Sequence, residues 1–137
     1  MVKFEDVFEK PLDEEAFKEL NPIVLAFIGD GVHTLYVRDR VVKSDNLLVN
    51  KCHIKSAKFC NAKSQANKLD LMFNDLTDTE HDIVRRARNA KTHNIAKNSD
   101  IETYKKATAF EALVGYLYLK GDFARLKQIL NYWLLKS

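Results

Sequence analysis

Alternation is what this chain lacks most. Nowhere in its 137 residues do apolar and polar side chains alternate over the length of a strand, and no hairpin turn separates two such runs. A sheet has nothing to be built from, so the expected fold class is all-α. Nor does any apolar run approach the ~20 residues that cross a bilayer. Glu5 and Asp6, soon after Met1, break any signal-peptide pattern, so a cytoplasmic protein with no membrane partner is expected. Cysteine is limited to Cys52 and Cys60 in one lysine-rich stretch, where a disulfide would have to break a helix; a reducing setting is the simpler reading. There are no internal repeats, and the length suits one domain over residues 1–137 with a real core.

What is present starts with residues 107–119, Ala-Thr-Ala-Phe-Glu-Ala-Leu-Val-Gly-Tyr-Leu-Tyr-Leu, which carry a single charge, Glu111. A helix apolar nearly all round is a buried one. A carboxylate buried there without partners costs several kcal/mol or is neutralised, so Glu111 is expected to meet a buried cation or to help bind a metal.

The net charge of +3 conceals an asymmetry. Residues 46–69 hold Lys51, Lys55, Lys58, Lys63 and Lys68 with no acid, and residues 83–99 hold Arg85, Arg86, Arg88, Lys91 and Lys97 with no acid. Each segment is +5, which leaves −7 for the rest of the chain. Concentrated basic charge is the footprint of a polyanion-binding surface, although solvated helix faces look the same in sequence.

In chain order, residues 13–20 read as a short acidic helix. Asn21-Pro22 reads as an N-cap with proline in the first turn, opening a helix over 23–42. Residues 43–46 form a turn, and 47–69 read as one helix with Leu48, Cys52, Phe59, Ala62 and Ala66 at turn spacing. Thr77-Asp78-Thr79-Glu80 is a capping box for a helix to about Lys91, and residues 92–98 read as a basic loop. Ser99-Asp100-Ile101-Glu102 is a second capping box, Gly121 a helix stop, and Asp122 the cap of a last helix striped by Phe123, Leu126, Ile129, Leu130 and Trp133. Residues 23–28 before Gly29-Asp30-Gly31 could instead be a buried strand and a phosphate-binding turn. No partner strand exists, and Val32, Leu35 and Tyr36 continue the helical register of Ile28, so the helix is preferred.

Two helices then share one oddity: Asp30 is the only charge in 23–32, as Glu111 is in 107–119. Ala26 and Gly115, one turn from each, would leave room for an ion, its waters or a phosphate. Mg²⁺ suits one or two carboxylates with several retained waters. The plainer alternative is a pair of core carboxylates held by the arginines. Beside two basic tracts, metal-assisted phosphoryl chemistry is favoured.

Residues 21–38 (Asn-Pro-Ile-Val-Leu-Ala-Phe-Ile-Gly-Asp-Gly-Val-His-Thr-Leu-Tyr-Val-Arg), 61–66 (Asn-Ala-Lys-Ser-Gln-Ala) and 85–91 (Arg-Arg-Ala-Arg-Asn-Ala-Lys) resemble the Mini-ribonuclease III family, as do Lys97-Asn98, Thr103-Tyr104 and 107–119. That family is a ribonuclease III catalytic domain without a double-stranded-RNA-binding domain. The resemblance implies an all-helical homodimer that cuts both strands of duplex RNA with Mg²⁺, for which Mn²⁺ substitutes, and that trims the stem flanking 23S ribosomal RNA precursors. A large-subunit ribosomal protein is a candidate partner.

By position, Glu111 matches the glutamate of the family's Phe-Glu-Ala-Leu and would coordinate the metal. Asp30 matches the aspartate of its Gly-Asp motif and would hold the metal or its waters; both are the expected catalytic residues. Two further carboxylates of full-length ribonuclease III are replaced here by Ala26 and Thr108, as is usual in Mini-ribonuclease III, which leaves the number of metals open. Gly31 stands where alanine is usual, and Thr34 where glutamate is common.

Lys55, Lys58, Lys63, Arg85, Arg86, Arg88, Lys91 and Lys97 are the expected RNA contacts, with His93 at the loop tip. The aromatic residues read as core or dimer interface. The dispersed histidines (His33, His53, His81, His93) offer no zinc pair and no catalytic role. A catalytically silent duplex-RNA-binding module is the rival from another class.

Overall fold

The computed structural model describes residues 10–44, 46–90 and 100–136, with side chains as far as Tyr132. The expected contacts Lys91 and Lys97, together with His93 and the capping residue Ser99, lie outside the described residues. Among the described residues seven α-helices follow one another: α1 (Glu14–Glu19), α2 (Pro22–Ser44), α3 (Val49–Cys60), α4 (Ala62–Met72), α5 (Asp78–Asn89), α6 (Ile101–Lys120) and α7 (Phe123–Lys136). A 3₁₀ turn, Phe73–Asp75, joins α4 to α5, and no strand occurs among the described residues. None of the helices is long and apolar enough to cross a membrane.

Helix termini follow their capping residues. Asp13 accepts from the Ala16 amide at 3.0 Å, Asn21 from the Ile23 amide at 2.9 Å, and Asp122 from the Arg125 amide at 3.1 Å. The Thr77–Glu80 capping box is complete in both directions. Asp100 caps α6, accepting from the Glu102 amide. Gly121 ends α6 with φ +81°, a left-handed conformation open to glycine at no steric cost.

One expected helix, 47–69, is two. Asn61 breaks it with ψ 162°, accepting from the Ser64 amide at 2.8 Å while its NH₂ donates to the carbonyls of Ala57 and Lys58. A single side chain satisfies the end of α3 and the start of α4, which makes the bend cheap. Leu48, read as part of an apolar stripe, is exposed, and Ser56 is the only buried residue of α3. Cys52 and Cys60 are both free thiols on α3.

α6 is the axis of the molecule. From Ala107 to Leu117 every residue but Glu111 is buried, and α2, α4, α5 and α7 pack around it. The approach of α2 to α6 is backbone to backbone. A Cβ on Gly29 would fall 1.7 Å from the Glu111 carbonyl oxygen, and one on Gly115 would fall 1.9 Å from that of Leu25. Gly115 therefore admits α2 itself and does not leave room for an ion, which corrects the expectation drawn from its size. Arg125 of α7 donates to Glu80 of α5 through Nε and Nη2, both at 2.8 Å, and joins those helices at a side of the core.

Candidate functional site

The glycine crossing decides where the two carboxylates lie. Gly29 presses on the Glu111 backbone, and Asp30 is the next residue of α2, so the Asp30 carboxylate meets the Glu111 carboxyl. Burial, and then the hydrogen bond to Asp30 and its charge, push the Glu111 carboxyl up to about 8; a hydrogen bond from Gln65 pulls the other way. Among the described residues no ion pair involves Asp30 or Glu111. The buried cation and the arginine clamp that the sequence allowed are both absent there. Glu111 instead faces a second carboxylate across a half-buried site, which strongly favours one shared proton or one bound cation. Ala26 and Thr108, each only 7% exposed, bring no further carboxylate to the pair.

Behind Glu111 lies a polar run that composition did not reveal. Gln65, His33 and Lys68 are all buried. The Gln65 side-chain amide lies 3.4 Å from His33 Nδ1, and His33 Nε2 lies 2.9 Å from Lys68 Nζ. Burial, then the Lys68 charge, hold the His33 imidazole down to about 3, so it is neutral. Burial draws the Lys68 ammonium down to about 8. Thr34, one residue beyond His33, hydrogen-bonds the Cys60 thiol, whose pKa is raised by burial. Gln65 stands inside the quoted 61–66 run, but nothing in its spacing marks it as inward-facing. Lys68 reads in sequence as one more member of a solvated lysine cluster.

The expected RNA contacts among the described residues fall in three places. Lys58 and Lys63 are exposed and share a shallow depression of about 370 Å³ with Phe59, Ser64 and Asn67, where α3 meets α4. Lys55 is half-buried and lines a smaller cavity of about 150 Å³ with Tyr36, Arg40 and Lys68. Arg85 and Arg88 line a different depression, on α5. Arg85 pairs with Asp82 and Arg88 with Glu102, while Arg86 Nη2 donates to the Leu20 carbonyl at 3.4 Å. These arginines have partners within the fold, whereas Lys58 and Lys63 are exposed and form no ion pair among the described residues, although Lys63 also lines a depression that holds Asp70, Asp100 and Glu102.

One further surface stands out. Along the outer side of α2, Val24, Phe27, Leu35 and Val42 are 49%, 81%, 62% and 69% exposed, in a row at helical spacing.

Comparison with known proteins agrees with this geometry. Residues 23–122 match the model of the ribonuclease III domain. Similar proteins include the Mini-ribonuclease 3 of Thermoanaerobacter sp. (strain X514), 46% identical over 88% of this chain and 84% of that one. The Mini-ribonuclease 3 of Staphylococcus aureus (strain NCTC 8325 / PS 47) is 46% identical over 83% of this chain and 87% of its own. Among solved structures, an X-ray crystal structure of a Fusobacterium nucleatum protein superposes with a TM-score of 0.79 at 28% identity, covering 88% of this chain and 96% of that one. An all-helical ribonuclease III domain, matched over most of its length by Mini-ribonuclease 3 relatives and carrying a carboxylate pair at its central helix crossing, makes this chain a ribonuclease of the Mini-ribonuclease 3 family.

Proposed function

We propose that this protein is a divalent-metal-dependent endoribonuclease of double-stranded RNA, acting as a homodimer in the cytoplasm and maturing the ends of the 23S ribosomal RNA precursor. The observation that carries the reading is the Asp30–Glu111 pair: two carboxylates in contact, one held up to about 8 by burial and by the other, with no cation paired to either among the described residues. Such a pair suits one Mg²⁺ or Mn²⁺, an oxygen-seeking ion that keeps several waters.

Glu111 would coordinate the ion directly, after giving up the proton that burial and the neighbouring Asp30 favour on it. Asp30, more exposed, would hold the ion or its waters. When bound, the ion supplies an activated water and offsets charge on the leaving oxygen. The remaining work belongs to positioning. Lys58 and Lys63 would take phosphates of a duplex that offers shape, phosphate and 2′-hydroxyls to a protein. Pairing through the exposed row on α2 would set two carboxylate pairs on one duplex, one for each strand.

The test is incubation of the purified protein with a long RNA duplex and with single-stranded RNA, in Mg²⁺ and then in EDTA, beside Asp30→Asn. Metal-dependent cutting of both duplex strands, lost in the variant, is the expected result. Binding without cutting in any metal would replace the endonuclease by a silent RNA-binding module. Mapping the cuts on a 23S precursor stem then tests the substrate.

A further inference from the structure

On the reading of Asp30 and Glu111 as a metal site, we propose that Gln65 is its positioning residue: braced by His33 and Lys68, the Gln65 amide fixes the Glu111 carboxylate in the orientation that receives the ion. Gln65 is 3% exposed on α4, its amide close enough to the Glu111 carboxyl of α6 to lower its pKa, while Asp30 approaches the same carboxyl from α2. Glu111 is thus held from one side by an amide and left open on the other.

The brace behind Gln65 is unusually costly for a core. His33 is 1% exposed and Lys68 6% exposed, and a core of similar volume built from apolar residues would be as stable or more so. The ammonium has only donors, so it donates to His33 Nε2 at 2.9 Å, which leaves the proton of the neutral ring on Nδ1; the Gln65 amide, 3.4 Å away, must meet that N–H with its oxygen and so keeps its NH₂ for Glu111. It also lies 5.9 Å from the ring centroids of both Phe59 and Phe110, and the His33 ring stands edge-on to Phe110 at 5.1 Å. These contacts leave His33 little freedom to turn, and His33 in turn limits Gln65. Every link is buried until the run emerges at Glu111. A network that ends on a reactive carboxylate orients it, in the way partners of metal-binding side chains generally do, and losing such a partner weakens metal binding about 10- to 100-fold.

The test uses the whole protein, stripped of metal and titrated with Mn²⁺ under electron paramagnetic resonance, with thermal unfolding followed in parallel. Gln65→Met keeps length and volume but cannot donate. It is expected to unfold within a few degrees of the parent yet bind Mn²⁺ about tenfold more weakly. On duplex RNA at limiting metal, its kcat is expected to fall while KM for RNA stays put. A folded Gln65→Met protein with Mn²⁺ affinity within about twofold of the parent overturns the proposal. Lys68→Met removes the brace and leaves the amide, so weaker Mn²⁺ binding without loss of thermal stability is expected; unchanged binding there overturns the proposal even if Gln65→Met does not fold. Failure of the unmodified protein to take up Mn²⁺ overturns the metal site itself, and is distinguishable from the case in which parent and variants bind alike.

Discussion

At the scale of single residues, the site trades stability for chemistry. The Asp30–Glu111 contact is tolerable only while a proton or a cation sits in it. Glu111→Gln places a permanent N–H donor beside Asp30, in place of a carboxyl whose pKa burial and Asp30 push up to about 8. In metal-free protein at pH 8 its midpoint of unfolding should rise by roughly 3 °C, the shift expected for about 1 kcal/mol in a chain of this size. Cleavage should fall by at least ~10²-fold, because the ion loses its most direct ligand. Differential scanning fluorimetry in EDTA checks the first outcome; a variant less stable than the parent would argue that Glu111 is a structural carboxylate. Gly31 gives the opposite case. It lies mid-helix, with nothing within 4 Å of an added Cβ. Gly31→Ala should therefore stabilise by about 0.5–1 kcal/mol, read as the shift in urea midpoint at constant slope.

At the scale of helices, α2 and α6 cross where two glycines leave no side chain between them. Gly115→Ala would set a methyl 1.9 Å from the Leu25 carbonyl oxygen, backbone that cannot rotate away. The helices must separate, at a cost of roughly 1–3 kcal/mol, and Asp30 must move off Glu111. Stability and Mn²⁺ affinity should drop together, in contrast to Gly31→Ala, which should leave affinity unchanged. The α5–α7 link predicts an acid limb. Burial alone would raise the Glu80 carboxyl, but hydrogen bonds from Arg125 and Thr77 outweigh it and leave it below the ordinary 4.5. A carboxyl depressed in the folded state contributes stability above its unfolded pKa, and that contribution is lost as pH falls through the folded one. Urea unfolding of the parent should weaken below about pH 4.5, and Glu80→Gln should flatten that limb while costing about 3 kcal/mol at pH 7 for the stranded Arg125. Equal slopes in both proteins would exclude Glu80 as the source.

Helices were legible in the sequence wherever a cap or a period announced them, as at Thr77–Glu80, Gly121 and the apolar run of α6. The break at Asn61 was not, because an asparagine inside a continuous apolar period caps only if its amide finds both ends, which spacing does not encode. Asp30 and Glu111 were legible as lone charges in apolar helices. Gln65, His33 and Lys68 were not: a lysine among five reads as solvated, and only packing turns it inward.

For the whole molecule, the row Val24, Phe27, Leu35 and Val42 is hard to reconcile with a lone protomer, since Phe27 alone is 81% exposed. The row runs along α2 beside Asp30. A two-fold partner using the same row would bury Phe27 against a second copy of α2 and bring two Asp30–Glu111 pairs into one particle. Phe27→Glu puts two like charges into that contact and leaves the core of each protomer untouched. Sedimentation velocity should show the parent as a dimer and the variant as a monomer with unchanged helical content. If pairing is what lets both strands be cut, the monomer should nick duplex RNA slowly or not at all while still binding Mn²⁺ with the parent's affinity. A monomeric variant that cuts both strands at the parent's rate would show that each protomer works alone, and the exposed row would then need another partner.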